Sequence, residues 1–369
     1  MPDPADIETL VHWLRQESPT REAAAVNAMA DLVVAEVAGT PLGVERIAGE
    51  QGLGDALILR AGPQNGQPTG FVLGHLDTVH PLGTAVRDLR IHQLGDRLYG
   101  PGVYDMKGGL LMGVRALVAA ARGGRVRRPL AFFLSPDEEI GSPTSRPRIE
   151  AAAKGAAFAL VLEPAREDGS CVTARKAVGR FQVEVFGQAS HAGVRHDAGR
   201  SAIREAARQI LEVEELTDYA EGVTVSVGLV AGGTGVNVVP DRCRFDIDFR
   251  APSATAACRC EAQIRGLTPK GPDVFLSVEG GVNRPAYERT EANGRLFTLA
   301  RDIARDLGLT LKEAPMTGGG SDGNFTAALG VPTLDGLGIE GAGAHTLEEY
   351  GLLSSLPPRQ ALIQRLLER

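Results

Sequence analysis

Residues 70–79 read GFVLGHLDTV, residues 130–142 read LAFFLSPDEEIGS, and residues 158–164 read FALVLEP. Each stretch begins as a short apolar run, which predicts a buried strand, and acidic or imidazole side chains follow that run. Residues 109–122 form an apolar, Ala-rich segment that predicts a helix. Alternating strands and helices predict an α/β sheet covered by helices. Because open α/β sheets place their sites at the carboxyl ends of strands, we expect the polar residues there to form a site.

A second pattern begins near Gly179. Residues 181–186 alternate between apolar and polar side chains, which predicts a strand with one exposed face. Residues 200–216 predict a helix whose apolar positions are Ile203, Ala207, Ile210, Leu211 and Val213. Further strands are predicted at residues 223–230, 243–249 and 274–278. This order of elements is typical of a small α+β domain.

The predicted fold class is therefore α/β with an inserted domain. The larger domain, residues 1–178 and 287–369, contains a mixed sheet covered by helices and carries the polar strand ends. The smaller α+β domain is residues 179–286.

The composition excludes several classes of protein. Among 369 residues, 39 Lys and Arg stand against 46 Asp and Glu, and the net charge of −7 argues against non-specific nucleic-acid binding. No apolar run of about 18 residues occurs, so we expect no membrane span. Residues 1–16 lack the pattern of a secretory signal, and the 4 cysteines are scattered rather than arranged as a disulfide framework. We therefore expect a cytoplasmic protein.

Six acidic or imidazole side chains follow the predicted strands or lie in Gly-rich turns: His75, Asp105, Glu138, Glu139, Glu163 and His345. Asp77 faces the same side of the chain as His75, and a carboxylate there can fix the tautomer of a histidine ligand. The three adjacent carboxylates of residues 137–139 repel one another unless a cation holds them. Taken singly, Asp105 also fits a helix cap and the His75–Asp77 pair a surface contact. Together the nitrogen and oxygen donors indicate a zinc site, with manganese or cobalt as alternatives.

Seven motifs in combination are more specific than any one of them: GHLDTV (74–79), GPGVYDMKGG (100–109), DEEIGS (137–142), LEP (162–164), SHAG (190–193), GVNVVP (235–240) and GAGAH (341–345). In this order they resemble the zinc-dependent exopeptidase and deacylase family. That family includes glutamate carboxypeptidase, acetylornithine deacetylase, succinyl-diaminopimelate desuccinylase and aminoacylase. The resemblance covers nearly the whole chain and favours the glutamate carboxypeptidase branch.

The resemblance implies two Zn²⁺ ions per subunit, with Co²⁺ or Mn²⁺ as alternatives. It implies five ligands: His75 and Glu163 for one ion, Glu139 and His345 for the other, and Asp105 bridging both. Asp77 would orient His75, and Glu138 would act as the general base. The peptide bond after Asp105 would be cis.

The resemblance also assigns roles in the inserted domain, which it implies is a dimerisation and lid domain. His191 would reach the site of the partner subunit and stabilise the oxyanion, so the active enzyme would be a homodimer. Asn237, Arg250 and Arg284 would bind the substrate carboxylate, which suits the two parallel hydrogen bonds of arginine. A turn histidine and surface ion pairs are the alternatives for these residues.

We therefore expect a metal-dependent hydrolase that releases a C-terminal amino acid, with glutamate favoured, from an N-acyl or peptidyl substrate. An N-acyl-amino-acid deacylase is the alternative within the family, and a non-catalytic binding protein on the same scaffold is a further one. A serine hydrolase is an alternative from a different class, because residues 319–323 fit G-x-S-x-G around Ser321, with Asp335 and His345 following in order. That motif needs an apolar strand directly before it, and residues 314–318 do not form one.

Overall fold

The computed structural model describes residues 2–369. The strands are β1 (Gly43–Ile47), β2 (Ala56–Ala61), β3 (Gly70–His75), β4 (His92–Leu94), β5 (Arg97–Tyr99), β6 (Leu130–Ser135), β7 (Phe158–Val161), β8 (Ala177–Phe186), β9 (Ser190–His191), β10 (Thr224–Gly232), β11 (Val238–Val239), β12 (Arg242–Ala251), β13 (Phe275–Arg284), β14 (Thr333–Leu334), β15 (Gly341–Ala342) and β16 (Tyr350–Leu352). The helices are α1 (Pro4–Arg15), α2 (Ala23–Val37), α3 (Thr84–Arg87), α4 (Gly108–Arg122), α5 (Arg146–Ala153), α6 (Ala202–Glu214), α7 (Ala254–Arg265), α8 (Glu291–Asp306), α9 (Gly323–Ala328) and α10 (Leu356–Leu367).

The contacts divide the chain into two compact units. Unit 1 comprises the residues up to Ala174, Arg289–Pro315 and Ser321–Arg369, and unit 2 comprises Arg175–Glu288 and Met316–Gly320. The prediction of a mixed α/β fold is confirmed. Within residues 2–369, no helix combines the length and apolar character needed to cross a membrane.

The main sheet of unit 1 contains six strands in the order β1-β2-β6-β3-β7-β14. Strands β6, β3, β7 and β14 run parallel to one another, whereas β2 pairs in antiparallel fashion with both β6 and β1. Every residue of β3 and β6 is buried, as expected for parallel strands covered on both faces. Phe132 and Phe133 pack into different hydrophobic clusters because successive side chains point to opposite faces.

The parallel register brings the carboxyl ends of these strands together. His75, the last residue of β3, pairs with Ser135, the last residue of β6. The strands predicted at the start of residues 70–79, 130–142 and 158–164 are present as β3, β6 and β7, and the helix predicted for residues 109–122 is α4, which begins one residue earlier. A second sheet in unit 1 has the order β15-β16-β5-β4. Its strand β5 ends directly before the Gly-rich turn at residues 100–109, and β15 begins the one at residues 341–345.

Unit 2 contains an antiparallel sheet in the order β10-β12-β8-β13, and α6 and α7 pack on it. The strands and the helix predicted for this part of the chain are present. The predicted apolar face of α6 is wrong in part, because the side chains of Ile203 and Leu211 are exposed. Glu205 and Gln209 are buried instead, since the Glu205 carboxylate accepts hydrogen bonds from the backbone N–H groups of Lys270 and Gly271.

Candidate metal centre

Six predicted side chains gather in unit 1. His75 ends β3, Glu138 and Glu139 lie in the turn after β6, and Glu163 follows β7 by two residues. Asp105 and His345 come from the two Gly-rich turns. One set of potential ligand atoms, from His75, Asp105 and Glu139, lies within 4.8 Å of one another, and so does a second set from His75, Glu138 and Glu163.

The two carboxylate oxygens of Asp105 face two different histidines. Oδ1 lies 3.1 Å from Nε2 of His75, and Oδ2 lies 3.3 Å from Nε2 of His345. Nε2 of His75 is 3.8 Å from Oε1 of Glu163, and Nε2 of His345 is 3.2 Å from Oε2 of Glu139. The Asp105–Met106 peptide bond is cis, as the resemblance implies. His345 is the most open of these groups, with 55% of its side chain exposed.

Asp77 organises the neighbouring turn as well as His75. Its Oδ1 and Oδ2 accept hydrogen bonds from the backbone N–H groups of Glu138 and Glu139, each 3.2 Å long. Nδ1 of His75 lies 2.9 Å from the backbone oxygen of Asp77 and 3.5 Å from its carboxylate, so the backbone makes the shorter contact. A carbonyl oxygen can only accept, so Nδ1 carries a proton and Nε2 of a neutral ring is left to bind a metal.

The pKa values reflect a buried excess of acidic groups. Burial together with the charge of Asp105 raises the pKa of Glu139 to about 7 and holds that of Glu163 well above its ordinary value. Burial also opposes the charge on Asp105, but hydrogen bonds from His345 and His75 hold its pKa well below the usual range. Hydrogen bonds to Asp105 and Glu139 raise the pKa of His345 to about 11. Without a cation, the raised pKa values of Glu139, Glu163 and His345 favour bound protons, which offset the negative charge of the cluster.

One atom of the cluster has no hydrogen-bond partner among the described residues. Oε1 of Glu139 is completely buried, and an unpaired carboxylate oxygen in such a place is costly. Histidine nitrogens and carboxylate oxygens are the donors that zinc binds, and a cation beside Oε1 would satisfy it. The residues present therefore fit a metal site.

Several contacts of this centre involve residues that the sequence did not single out. Thr20 donates a 2.7 Å hydrogen bond to Oδ2 of Asp77, across 57 residues of sequence. The buried Glu349 carboxylate accepts hydrogen bonds from the backbone N–H groups of Tyr104 and Asp105. The sequence offers one indication that Glu349 belongs to the centre, which is that it lies four residues after His345.

Two glycines, Gly109 and Gly338, allow other parts of the chain to pack directly against the backbone at Leu162 and Glu163. A Cβ atom at Gly109 would lie 2.1 Å from the backbone oxygen of Leu162. A Cβ atom at Gly338 would lie 2.4 Å from that same oxygen and 2.6 Å from the backbone oxygen of Glu163. Any side chain at these positions would displace the segment that carries Glu163.

The structure brings His191 and Asn237 together in unit 2. The strands β9 and β11 pair His191 with Val238, and the backbone N–H of Ala192 donates a 2.9 Å hydrogen bond to the backbone oxygen of Asn237. His191 and Asn237 are both exposed. Nδ1 of His191 accepts a 3.1 Å hydrogen bond from Gly193, which leaves Nε2 as the nitrogen that can donate.

Arg250 and Arg284 meet at the glycine segment 318–320, which belongs to the same unit. Arg250 donates to the backbone oxygen of Gly318 and makes two hydrogen bonds of 2.7 and 3.0 Å to Asp248. Arg284 is buried, and a Cβ atom at Gly320 would lie 3.0 Å from its Cγ. Arg250 thus forms an ion pair with Asp248, which is the alternative role that the sequence leaves open for it.

The model of the family described as "Peptidase family M20/M25/M40" matches residues 71–369, well over half of the chain. The chain belongs to this family. The match confirms the resemblance to the zinc-dependent exopeptidases and deacylases. As an M20 family member, the protein is a metallo-hydrolase that acts on peptides or N-acyl amino acids.

The relatives of this M20 family member include a carboxypeptidase and a deacetylase. Carboxypeptidase G2 of Pseudomonas sp. (strain RS-16) is 28% identical over 372 residues, covering 99% of this chain and 89% of the relative. Acetylornithine deacetylase of Myxococcus xanthus is 33% identical over 220 residues, covering 56% of this chain and 54% of the relative. The solved structure of the M20 family metallo-carboxypeptidase Sso-CP2 from Sulfolobus solfataricus has a TM-score of 0.74 at 16% identity, covering 99% of each chain. This last similarity concerns the fold.

The serine hydrolase alternative finds no support in this M20 structure. Ser321 is completely buried, and its hydroxyl donates a 2.5 Å hydrogen bond to Asp335. A nucleophilic serine needs an accessible hydroxyl and a histidine as its base. The carboxylate of Asp335 instead holds the hydroxyl directly, so Ser321 serves to position the turn before α9.

Proposed function

We propose that the protein hydrolyses an amide bond to release a C-terminal amino acid, with glutamate favoured, from an N-acyl or peptidyl substrate. The observation that carries this proposal is the gathering of two histidines and four carboxylates from strand ends and Gly-rich turns of unit 1, with one buried carboxylate oxygen left unpaired.

We propose two Zn²⁺ ions per subunit, with Co²⁺ or Mn²⁺ as alternatives. His75 and Glu163 would hold one ion, Glu139 and His345 the other, and Asp105 would bind both. The arrangement of the two Asp105 oxygens, each facing a different histidine, supports this division. When bound, such ions polarise a carbonyl group and lower the pKa of water to about 7.

Glu138 is the proposed general base. Its backbone N–H is held by Asp77, so the turn that carries the side chain is fixed before substrate arrives. The carboxylate would accept a proton from the attacking water and deliver it to the departing amine nitrogen. A positioned base of this kind contributes about 10²–10⁴-fold to the rate.

Unit 2 supplies the proposed groups for the carboxylate and the oxyanion. Asn237 and the two arginines Arg250 and Arg284 are proposed to bind the substrate carboxylate, although Arg250 must then share its guanidinium with Asp248. His191 is proposed to donate a hydrogen bond from Nε2 to the oxyanion in the site of a partner subunit. Its exposure and the occupation of Nδ1 by Gly193 support this role.

A homodimer is part of the proposal, and unit 2 carries a surface suited to it. Strand β10 lies at the edge of its sheet, and the side chains of Leu229 and Val230 in it are exposed. Leu211 of the adjoining α6 is 67% exposed. An edge strand with exposed apolar side chains is a ready surface for association with a second copy.

Sedimentation of the double variant Leu211→Glu with Leu229→Glu tests the homodimer. We expect a wild-type dimer and a monomeric variant with unchanged zinc content and reduced activity. Leu94→Glu is the matched control, because Leu94 is also 67% exposed but lies in unit 1, and it should leave the dimer intact. A fully active wild-type monomer would contradict the proposal.

The alternative, an N-acyl-amino-acid deacylase, rests on the 33% identity to acetylornithine deacetylase. The two activities differ in the substrate that is turned over best. A panel of N-acyl-glutamates, N-acyl-alanines, N-acetyl-ornithine and dipeptides, assayed with and without a chelator, separates them.

We expect chelator-sensitive release of glutamate that added zinc restores. Preference for N-acetyl-ornithine would favour the deacylase. Activity that survives complete metal removal would contradict both, and a protein that binds metal without turnover of any substrate would favour the binding-protein alternative. Cytoplasmic location stays a prediction.

A further inference from the structure

Glu349 lies directly before β16 and is only 1% exposed. Its Oε1 accepts hydrogen bonds from the backbone N–H groups of Tyr104, at 2.9 Å, and Asp105, at 3.0 Å. Its Oε2 accepts one from the backbone N–H of Gly102, at 2.9 Å, and lies 3.0 Å from Nε2 of His80. One carboxylate therefore receives four donors, three of them from the turn that carries Asp105.

Within this turn the backbone N–H groups of Val103 and Lys107 donate to the backbone oxygens of Gly100 and Gly102. The N–H groups of Gly102, Tyr104 and Asp105 donate to Glu349 instead. Gly102 has a φ of 76°, and Asp105 has non-helical dihedral angles of −116° and 93°. Buried N–H groups that lack an acceptor cost about 1–3 kcal/mol each. Glu349 satisfies three of them at once and does so at the backbone of Asp105 itself.

The same residue links the two Gly-rich turns of the centre. Glu349 is four residues from His345, and β16 pairs with β5 just before the turn, with Tyr350 opposite Tyr99. The carboxylate of Asp105 lies between His75 and His345, so a shift of its backbone would change the distance to both histidines.

We propose that Glu349 is a positioning residue that fixes the backbone of Asp105 and so sets its carboxylate between the two histidines for metal binding. This proposal rests on the proposed function, which makes Asp105 the ligand shared by two ions. The alternative is that Glu349 only stabilises the fold.

Glu349→Gln tests the proposal because it keeps the shape of the side chain. Its amide nitrogen is a donor, and on either side it would face backbone N–H groups of the turn. Glu205→Gln is the matched control in unit 2. Glu205 is 2% exposed, and its carboxylate accepts from two backbone N–H groups and from Gln209, so its loss disturbs a similar buried network away from the centre.

The measurements are the thermal midpoint, Zn²⁺ affinity of the metal-free protein by chelator competition, the absorption spectrum with Co²⁺, and kcat and KM. For Glu349→Gln we expect zinc affinity to fall about 10–100-fold, because loss of a group that orients ligands typically has that effect. We also expect an altered Co²⁺ spectrum and a lower kcat at saturating metal, with KM little changed. Glu205→Gln should lower the thermal midpoint but keep wild-type affinity, spectrum and kcat.

A Glu349→Gln variant that matches Glu205→Gln in all these measurements would overturn the proposal. If Glu349→Gln does not fold, Glu349→Asp replaces it, because aspartate keeps the charge but withdraws the oxygens from the turn. Its zinc affinity should then lie severalfold below that of wild type, and equal affinity would overturn the proposal. A wild-type protein that binds no zinc would instead contradict the proposed function.

Discussion

The proposed metal centre of unit 1 and the His191–Asn237 pair of unit 2 are built in opposite ways. The centre is mostly buried, and backbone N–H groups hold Asp77 and Glu349 on two sides of it. His191 and Asn237 are exposed, and backbone hydrogen bonds connect the segments that carry them. The centre is thus organised in advance within one chain, whereas the exposed pair suits a role completed by substrate and a second subunit.

Glu138→Gln should produce the largest change and test the organised centre. We expect kcat to fall about 10²–10⁴-fold, because the glutamine cannot accept the proton from water. Activity on an N-acyl-glutamate and zinc content by elemental analysis check this, with zinc content expected to stay at the wild-type value. Glu150→Gln, in the partly exposed Arg146–Glu150 pair, is the control and should retain activity. A loss of less than tenfold would remove Glu138 from its role.

His191→Ala tests the exposed pair. We expect kcat to fall about 10²–10³-fold, as is typical when one oxyanion donor is lost. Zinc affinity and thermal midpoint should not change, because the side chain is exposed. His196→Ala is the control, since His196 is also exposed and lies five residues away.

Mixing His191→Ala with Glu138→Ala sharpens the same comparison. Each hybrid dimer would contain one site with both residues intact, so part of the activity should return. Subunit exchange must be demonstrated separately, for example by mass spectrometry. No recovery after exchange would show that His191 does not act across subunits.

The pH dependence of zinc binding tests the protonation states of the metal centre in unit 1. Glu139, with a pKa of about 7, and His345, with a pKa of about 11, must both lose a proton to bind a cation. Zinc affinity should therefore rise with pH, by about tenfold or more between pH 6 and 7, with measurable proton release. Calorimetry in buffers of different ionisation enthalpy measures that release. An affinity independent of pH would contradict these protonation states.

Gly338→Ala should have the smallest effect of the set. The added methyl group would press on the backbone at Leu162 and Glu163, so we expect a loss of about 1–3 kcal/mol in the free energy of unfolding. Chemical denaturation measures it. Gly228→Ala in unit 2 is the control, because nothing lies within 4 Å of the Cβ position there. Equal stability of both variants would show that the backbone at Glu163 is not closely confined.

Local sequence determined which residues could form the centre. His75, Glu139 and Glu163 each follow an apolar run, and such runs form strands because of the backbone periodicity and the burial of their side chains. The parallel arrangement then places the strand ends at one edge. These residues could be predicted because each depends only on a few neighbours in the chain.

Tertiary structure alone decided the contacts between distant segments. Glu349 is 244 residues from Asp105, and Thr20 is 57 residues from Asp77. The buried face of α6 also differs from its predicted apolar face, because the backbone N–H groups of Lys270 and Gly271 bind the carboxylate of Glu205 and so allow it to be buried. Such contacts form between donors and acceptors that come close only when the whole chain has folded. A local pattern of residues therefore cannot predict them.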